Sequence, residues 1–248
     1  IRRTLDGNAP DQSGSPATAT LLNNLGLMHY LGGFPDRARP ALVEALELRR
    51  ALLADDHPDL AQTLTNLGLL EKDYGDIETA VAMLGEALDV RRAALAPDHY
   101  RIGQAMLNLA IALRESGDHE PAERLFEAAM ERLAEQLGAG HPQVAVAHTE
   151  LGELFLDTER YGEAETAFRE SLTNRRAALG EGHPHLAWSL LGLGRSLLAS
   201  GRQAEALPLL REAMEIRQRV LPPDNPLRQL AEATLRDAEQ AAEAGASP

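Results

Sequence analysis

The sequence predicts an all-α fold in which helix–turn–helix units stack on one another as a solenoid. Two markers predict it, and both recur every 42 residues without a gap. The first marker has a central leucine: Asn24-Leu25-Gly26, Asn66-Leu67-Gly68, Asn108-Leu109-Ala110, Glu150-Leu151-Gly152 and Gly192-Leu193-Gly194. The second marker has the form of a loop: His57-Pro58, His99-Tyr100, His141-Pro142, His183-Pro184 and Asn225-Pro226. Because the two markers keep the same spacing, the chain is an array of repeats.

Each unit contains two stretches with the apolar spacing of an α-helix. Leu60, Leu64 and Leu67 are three or four residues apart, as on one face of an amphipathic helix. Gly75-Asp76 ends that pattern, and a second apolar stripe runs from Ile77 to Leu95. A β-propeller has repeats of similar length, but the units show helical spacing instead of strand alternation.

Small residues recur inside the predicted helices. Glycine in a helix interior costs about 1 kcal/mol relative to alanine, so its recurrence predicts the close approach of a neighbouring helix. The positions concerned are Gly26, Gly68, Gly152 and Gly194. Later in each unit come an alanine, a large apolar residue and another small residue, for example Ala38, Leu42 and Ala45. We expect these positions to form the core.

This spacing of Leu-Gly, Ala, large apolar residue and Ala resembles the tetratricopeptide repeat. The common repeat has about 34 residues, and the 42-residue form, with Asn-Leu-Gly and Asp-His-Pro, is similar to the repeats of kinesin light chains and of many bacterial proteins. The resemblance covers about residues 16–225. It implies a right-handed superhelical α-solenoid whose first helices line a concave groove. The predicted division is a remnant of a preceding repeat with a linker (1–15), five repeats (16–57, 58–99, 100–141, 142–183 and 184–225) and a C-terminal capping helix (226–248).

Charge and composition narrow the range of functions. The formal net charge is −14, which disfavours nucleic acid because phosphate binding needs a dense basic surface. We expect no membrane insertion, since no apolar run reaches the roughly 18 to 20 residues that cross a bilayer. The chain has no cysteine, which excludes disulfides and thiolate sites and fits a reducing compartment. A cytoplasmic location is the corresponding prediction.

The sequence predicts no catalytic site, cofactor or metal. We find no nucleophile, base and acid that the fold would bring together. The periodic histidines (His57, His99, His141 and His183) lie one repeat apart, too far to share a metal ion, so helix starts and loop packing explain them better. Gly192-Leu193-Gly194 superficially echoes a phosphate-binding loop, but it lies inside a predicted helix.

Asn24, Asn66 and Asn108 are the main candidate binding residues. Asparagine is an indifferent helix former, and each of the three precedes a leucine that we expect in the core. The resemblance implies that this position points into the groove, where the amide can bind a peptide backbone as donor and acceptor. In the alternative, the amides hydrogen-bond between helices and fix the stacking of the repeats. Glu150 and Gly192 replace asparagine in the last two repeats, which places the predicted peptide site on repeats 1 to 3.

Helical geometry adds groove positions three to four residues on either side of each asparagine. They are Thr20, Asn23, Leu27 and Tyr30 in repeat 1, Gln62, Thr65, Leu69 and Lys72 in repeat 2, and Gln104, Leu107, Ile111 and Arg114 in repeat 3. The sequence thus predicts a non-catalytic scaffold that binds a peptide or partner segment. The alternative is a regulatory or sensor arm of a larger multidomain protein, such as a bacterial enzyme or transcription regulator.

The two ends fit the same scheme. Ile1-Arg2-Arg3-Thr4-Leu5 is similar to Leu48-Arg49-Arg50-Ala51-Leu52, as if a preceding repeat were interrupted. Apolar surface at such a truncated N-terminal edge would allow self-association, and the capping helix at the other end has a polar outer face.

We expect the arginine pairs near the ends of second helices to interact with the helix dipole. These pairs are Arg49-Arg50, Arg91-Arg92 and Arg175-Arg176.

Overall fold

The computed structural model describes residues 14–245, with side chains as far as residue 242. Within that part of the chain there are eleven α-helices and no strand, which confirms the all-α fold class. The segment Ile1–Leu5, compared above with the end of a second helix, lies outside the described residues.

The chain forms two compact units, Ile1–Ser116 and Gly117–Pro248. The first unit contains α1 (Pro16–Leu31), α2 (Pro35–Leu52), α3 (Pro58–Tyr74), α4 (Ile77–Ala94) and α5 (Tyr100–Glu115). The second contains α6 (His119–Leu137), α7 (Pro142–Asp157), α8 (Tyr161–Leu179), α9 (Leu186–Ala199), α10 (Gln203–Val220) and α11 (Pro226–Gly245). Within each unit every helix packs against the next, and α1 contacts α3, α3 contacts α5, α7 contacts α9 and α9 contacts α11.

The predicted core positions are buried. Ala38, Leu42 and Ala45 on α2 have no exposed side-chain surface. The equivalent residues of the other second helices are at most 1% exposed: Ala80, Leu84, Ala87, Ala122, Phe126, Ala129, Ala164, Phe168, Ser171, Ala206, Leu210 and Ala213. The alternation of small and large residues therefore fills the interior of each helix pair.

The recurring helix glycines each face the large apolar residue that comes sixteen positions later. A Cβ atom on Gly26 would lie 2.6 Å from Cγ of Leu42, and one on Gly194 would lie 2.4 Å from Cδ2 of Leu210. The other two pairs are Gly68 with Leu84 and Gly152 with Phe168, each at 2.8 Å. The predicted close approach is confirmed, and the approaching residue belongs to the second helix of the same repeat.

Three of the recurring histidines cap the starts of helices. Nδ1 of His57 accepts a hydrogen bond from the backbone N–H of Asp59 at 3.1 Å, at the start of α3. The same bond joins His99 to Arg101 at the start of α5 and His141 to Gln143 at the start of α7. Each bond satisfies a helical N–H that has no partner inside the helix, so the predicted role at helix starts is confirmed for these three. His183 accepts from the N–H of His185 in the turn before α9, which begins at Leu186.

The first arginine of a pair has a role that the sequence did not predict. Arg49 is 2% exposed, and its Nη1 donates to the backbone oxygen of Asp59 and to the hydroxyl of Thr63. On α8, Arg175 makes the equivalent two bonds, to a backbone oxygen and a serine hydroxyl, both at 2.9 Å. Each arginine thus joins a second helix to the first helix of the next repeat. The helix dipole is not the main interaction of these side chains.

Candidate functional site

The candidate binding residues lie on α1, α3 and α5 of the first unit, in rows whose members are 42 residues apart. We call this surface the first-helix face. Its rows are Thr20, Gln62 and Gln104; Asn24, Asn66 and Asn108; Leu27, Leu69 and Ile111; and Tyr30, Lys72 and Arg114. Because α3 contacts both α1 and α5, the residues of one row lie on neighbouring helices.

The asparagine row is divided between the surface and the interior. Asn24 is exposed, Asn108 is half-buried and Asn66 is only 8% exposed. Nδ2 of Asn66 donates to Oδ1 of Asn23 at 3.0 Å, and Nδ2 of Asn23 donates to Oδ1 of Asn24 at 3.3 Å. These amides join α1 to α3, so for Asn66 the geometry favours the stacking alternative. Asn24 keeps an accessible side chain.

Three residues predicted to line the groove, one on each of α1, α3 and α5, lie in the interior instead. Asn23 has no exposed side-chain surface, and Thr65 is buried with its hydroxyl donating to the backbone oxygen of Ala61 at 2.7 Å. Leu107, in the same register on α5, is also buried. Spacing along one helix cannot show which side its neighbour covers, and α3 lies between α1 and α5. This row therefore supports packing and is not open to a ligand.

An apolar row and a polar row remain accessible beside the asparagines. Leu27, Leu69 and Ile111 are half-buried and form an apolar strip across α1, α3 and α5. On the N-terminal side of that strip, Thr20 and Gln62 are exposed and Gln104 is half-buried. Glutamine amides offer donors and acceptors to a bound backbone.

A chain of charged contacts links the row of Tyr30, Lys72 and Arg114. The hydroxyl of Tyr30 donates to Asp73, and Nζ of Lys72 contacts Asp73 and lies 3.6 Å from Glu115. Arg114 lies 3.8 Å from Glu115. Asp73 and Glu115 were not among the predicted groove residues, although each directly follows one of them in the chain.

These contacts shift the pKa values of Tyr30 and Lys72. Burial, reinforced by the hydrogen bond to Asp73, raises the pKa of Tyr30 above its ordinary value. Burial lowers the pKa of Lys72, but the hydrogen bond to Asp73 and the charge of Glu115 outweigh it, so the net shift is upward. Tyr30 therefore stays neutral and Lys72 stays charged at neutral pH.

Across residues 14–245, no group of three or more histidine, cysteine, aspartate or glutamate side chains is placed to hold a metal ion. None of the helices described is long and apolar enough to cross a membrane.

A family model described as the tetratricopeptide repeat matches residues 17–93, 75–135, 101–177 and 143–219. The chain belongs to the tetratricopeptide repeat family. Tetratricopeptide repeats typically serve as scaffolds for protein–protein interaction, which is the function class that the sequence predicted. A search of curated proteins gives no match to this tetratricopeptide chain.

Solved structures share the tetratricopeptide fold and confirm the similarity to kinesin light chains. The putative kinesin light chain repeats of Podosopora anserina match with a TM-score of 0.69 and 21% identity, over 82% of this chain and 97% of that chain. BtubC (BKLC) from P. vanneervenii matches with a TM-score of 0.70 and 22% identity, over 85% and 84%. The Rap conjugation gene regulator of a plasmid, solved in complex with a Phr peptide, matches with a TM-score of 0.72 and 15% identity, over 96% and 65%. At these identities the likeness concerns the fold.

Proposed function

We propose that this chain is a non-catalytic scaffold that holds a peptide or partner segment along the first-helix face of α1, α3 and α5. The observation that carries the proposal is the register of the accessible rows. The apolar strip of Leu27, Leu69 and Ile111 lies beside amide-bearing residues at the same step. In an extended peptide, successive side chains point to opposite faces and the backbone amides lie between them. Such a peptide can contact the apolar strip with its side chains and the amide row with its backbone.

The candidate residues have separate parts in this proposal. Asn24, Asn108, Gln62, Gln104 and Thr20 contact the backbone of the bound segment. Leu27, Leu69 and Ile111 take up apolar side chains. Tyr30, Lys72 and Arg114 form the polar end of the face. Asn66 acts indirectly, because its amide holds α3 against α1 through Asn23.

A peptide array tests the proposal with three proteins: the wild type, Leu69→Glu and Glu47→Lys. Leu69→Glu places a charge in the apolar strip and should weaken binding at least tenfold, which is about 1.4 kcal/mol. Glu47 is exposed on α2, away from the first helices, so Glu47→Lys should bind as the wild type does. Circular dichroism checks that both variants are folded. Equal binding by Leu69→Glu, or no bound peptide at all, contradicts the proposal.

A second candidate function is a regulatory or sensor arm of a larger bacterial enzyme or transcription regulator. The match to the Rap regulator supports it, because that protein is a conjugation gene regulator solved with a peptide. The complete reading frame of the gene distinguishes the two functions, because a catalytic or DNA-binding domain in the same chain supports the role of a regulatory arm.

A cytoplasmic location stays a prediction from the sequence.

Self-association through the N-terminal edge is part of the same proposal. Leu21, Leu25 and Met28 form an apolar row on the outer side of α1, with 70%, 46% and 71% of their surfaces exposed. Their equivalents on α3 are Thr63, Leu67 and Leu70, which are at most 1% exposed. On α3 this side packs against α2: Arg49 donates to Thr63, and Leu67 and Leu70 lie in one apolar cluster with residues of α2. A second copy of the chain, placed across a two-fold axis, would cover the row on both molecules.

A further inference from the structure

A cavity of about 390 Å³ lies in the first unit where the end of α4 meets the starts of α3 and α5. Two arginines line it, Arg91 near the end of α4 and Arg101 in the first turn of α5. Gln62 and Gln104 of the first-helix face also line it. The cavity therefore adjoins the surface to which the peptide is assigned.

Arg91 occupies the position of Arg49, one repeat later, but lacks its partners. In the first repeat, Nη1 of Arg49 donates to the backbone oxygen of Asp59 and to the hydroxyl of Thr63. The residue equivalent to Thr63 is Ala105, which has no hydroxyl. Nη1 of Arg91 is buried from solvent and, within the described residues, has no hydrogen-bond partner. A buried charged donor without an acceptor is strongly unfavourable.

The charge next to Arg91 is also reversed. The carboxylate of Asp59 lies 3.8 Å from Arg49, whereas the equivalent residue beside Arg91 is Arg101. Burial, and then the positive charge of Arg101, lowers the pKa of Arg91. In the described part of the chain, neither Arg91 nor Arg101 lies within 4 Å of a carboxylate oxygen. Two positive charges thus share a cavity whose one acidic residue, Asp59, already lies against Arg49.

We propose that Arg91 and Arg101 form a binding site for an oxyanion, a carboxylate or a phosphate group. Among the described residues, no carboxylate within 4 Å of either side chain offsets the repulsion between the two guanidinium groups. An oxyanion accepts several hydrogen bonds and neutralises the charge, and arginine binds carboxylate and phosphate especially well. The amides of Gln62 and Gln104 add donors at the wall of the cavity.

The cavity is larger than a single oxyanion needs. About 390 Å³ is more than ten times the roughly 30 Å³ that a water molecule occupies in the liquid. The cavity has room for the side chain that carries the anion as well as for the charged group. We assign the anion to an acidic or phosphorylated side chain of the bound peptide, a step that rests on the proposed function. The anion site itself does not depend on it.

Thermal unfolding in inorganic phosphate tests the site without any peptide. At the same ionic strength of sodium chloride as the reference, about 50 mM phosphate should raise the Tm of the wild type by about 2 to 4 °C, as a bound ligand does. Arg91→Leu copies Leu133, the residue that the next repeat has at this position. Arg101→Asp copies Asp59 and supplies a carboxylate from the chain itself. Both variants should lose the phosphate-dependent shift, and Arg101→Asp should unfold at a higher temperature than the wild type in chloride.

Arg92→Leu is the matched control, because Arg92 is exposed beside Arg91 and lies 3.6 Å from Asp89. It should keep the full phosphate-dependent shift. A wild type without the shift overturns the site, and so does an equal shift in Arg91→Leu and Arg101→Asp. If Arg91→Leu fails to fold, Arg101→Asp decides the question alone.

A competition experiment distinguishes the two possible sources of the anion, a side chain of the bound peptide and a free anion from solution. Fluorescently labelled glutamate-rich and phosphoserine-containing peptides are titrated against the wild type, with and without phosphate. Displacement of either peptide by phosphate supports a peptide side chain as the source. A phosphate-dependent shift without any peptide binding overturns that source and leaves a site for a free anion. If Leu69→Glu binds the peptides as tightly as the wild type does, the proposed function is contradicted. The phosphate-dependent shift in Tm, and the anion site, are not affected by that result.

Discussion

At the scale of single residues, the same repeat position has different roles in different repeats. Asn66 joins two helices through its amide, whereas Gly192, at the equivalent position of the fifth repeat, leaves room for an aromatic ring. A Cβ atom on Gly192 would lie 2.2 Å from Cε1 of Phe168, and the same ring also packs on Gly152. The ring is held between two glycines and cannot easily move away from either.

We therefore expect Gly192→Ala to destabilise the protein, although alanine is the better helix former. Overpacking of a core costs about 1 to 3 kcal/mol, and the gain in helix propensity is about 1 kcal/mol at most. Gly85→Ala is the matched control, because Gly85 is also inside a helix and nothing lies within 4 Å of its Cβ position. That variant should gain roughly 0.5 to 1 kcal/mol. Urea unfolding of both variants measures the difference, and similar effects would refute the contact.

At the scale of helices, the loop marker is a capping device. The imidazole of His57 accepts from the backbone of α3, and Asn225 at the same position before α11 accepts from the N–H of Leu227 at 3.0 Å. Histidine and asparagine therefore make the equivalent hydrogen bond at this position of the repeat. Loss of such a cap from a helix costs about 1 kcal/mol.

His57→Ala should accordingly lower the free energy of unfolding by about 1 kcal/mol, whereas His57→Asn should keep the stability of the wild type. The second substitution copies the residue that the array itself has at Asn225. Urea denaturation followed by circular dichroism measures both variants. A cost for His57→Asn as large as that for His57→Ala would show that the imidazole contributes by packing and not by capping.

At the scale of the whole molecule, the first and the last described helices differ in the side chains that they expose. The outer side of α1 exposes Leu21, Leu25 and Met28. On α11 of the second unit, Arg228 pairs with Glu232, and Glu239 accepts from Arg211 of α10. An exposed apolar row favours association, whereas paired charges do not.

Light scattering across a concentration series tests the self-association that we propose for α1. The wild type should become dimeric as its concentration rises, and Leu25→Asp should stay monomeric because it places a charge in the apolar row. Leu230→Asp is the control, since Leu230 on α11 is 46% exposed, the same fraction as Leu25. It should associate like the wild type. A monomer at all concentrations, or equal loss of association in both variants, would contradict self-association through α1.

Much of the fold was predictable because it depends on spacing that recurs in the chain. The positions of Gly26 and Leu42 were expected in the core and lie there, since a helix places residues three and four apart on one face. For the candidate site, the sequence predicted which residues lie at equivalent positions of successive repeats, but not which of them are exposed. Asn23 and Thr65 were expected on the surface, but the neighbouring helix covers them.

By itself, then, the sequence determined the 42-residue unit, its two helices, the small residues at their contacts and the family to which the chain belongs. Only the tertiary structure decided that Asn66 bonds Asn23 while Asn24 faces solvent. It also decided that Nη1 of Arg49 has acceptors, whereas Nη1 of Arg91 has none among the described residues. The reason is physical. A helix and its core face follow from residues close together in the chain, whereas a hydrogen bond or an unpaired charge depends on which side chain another helix brings to it.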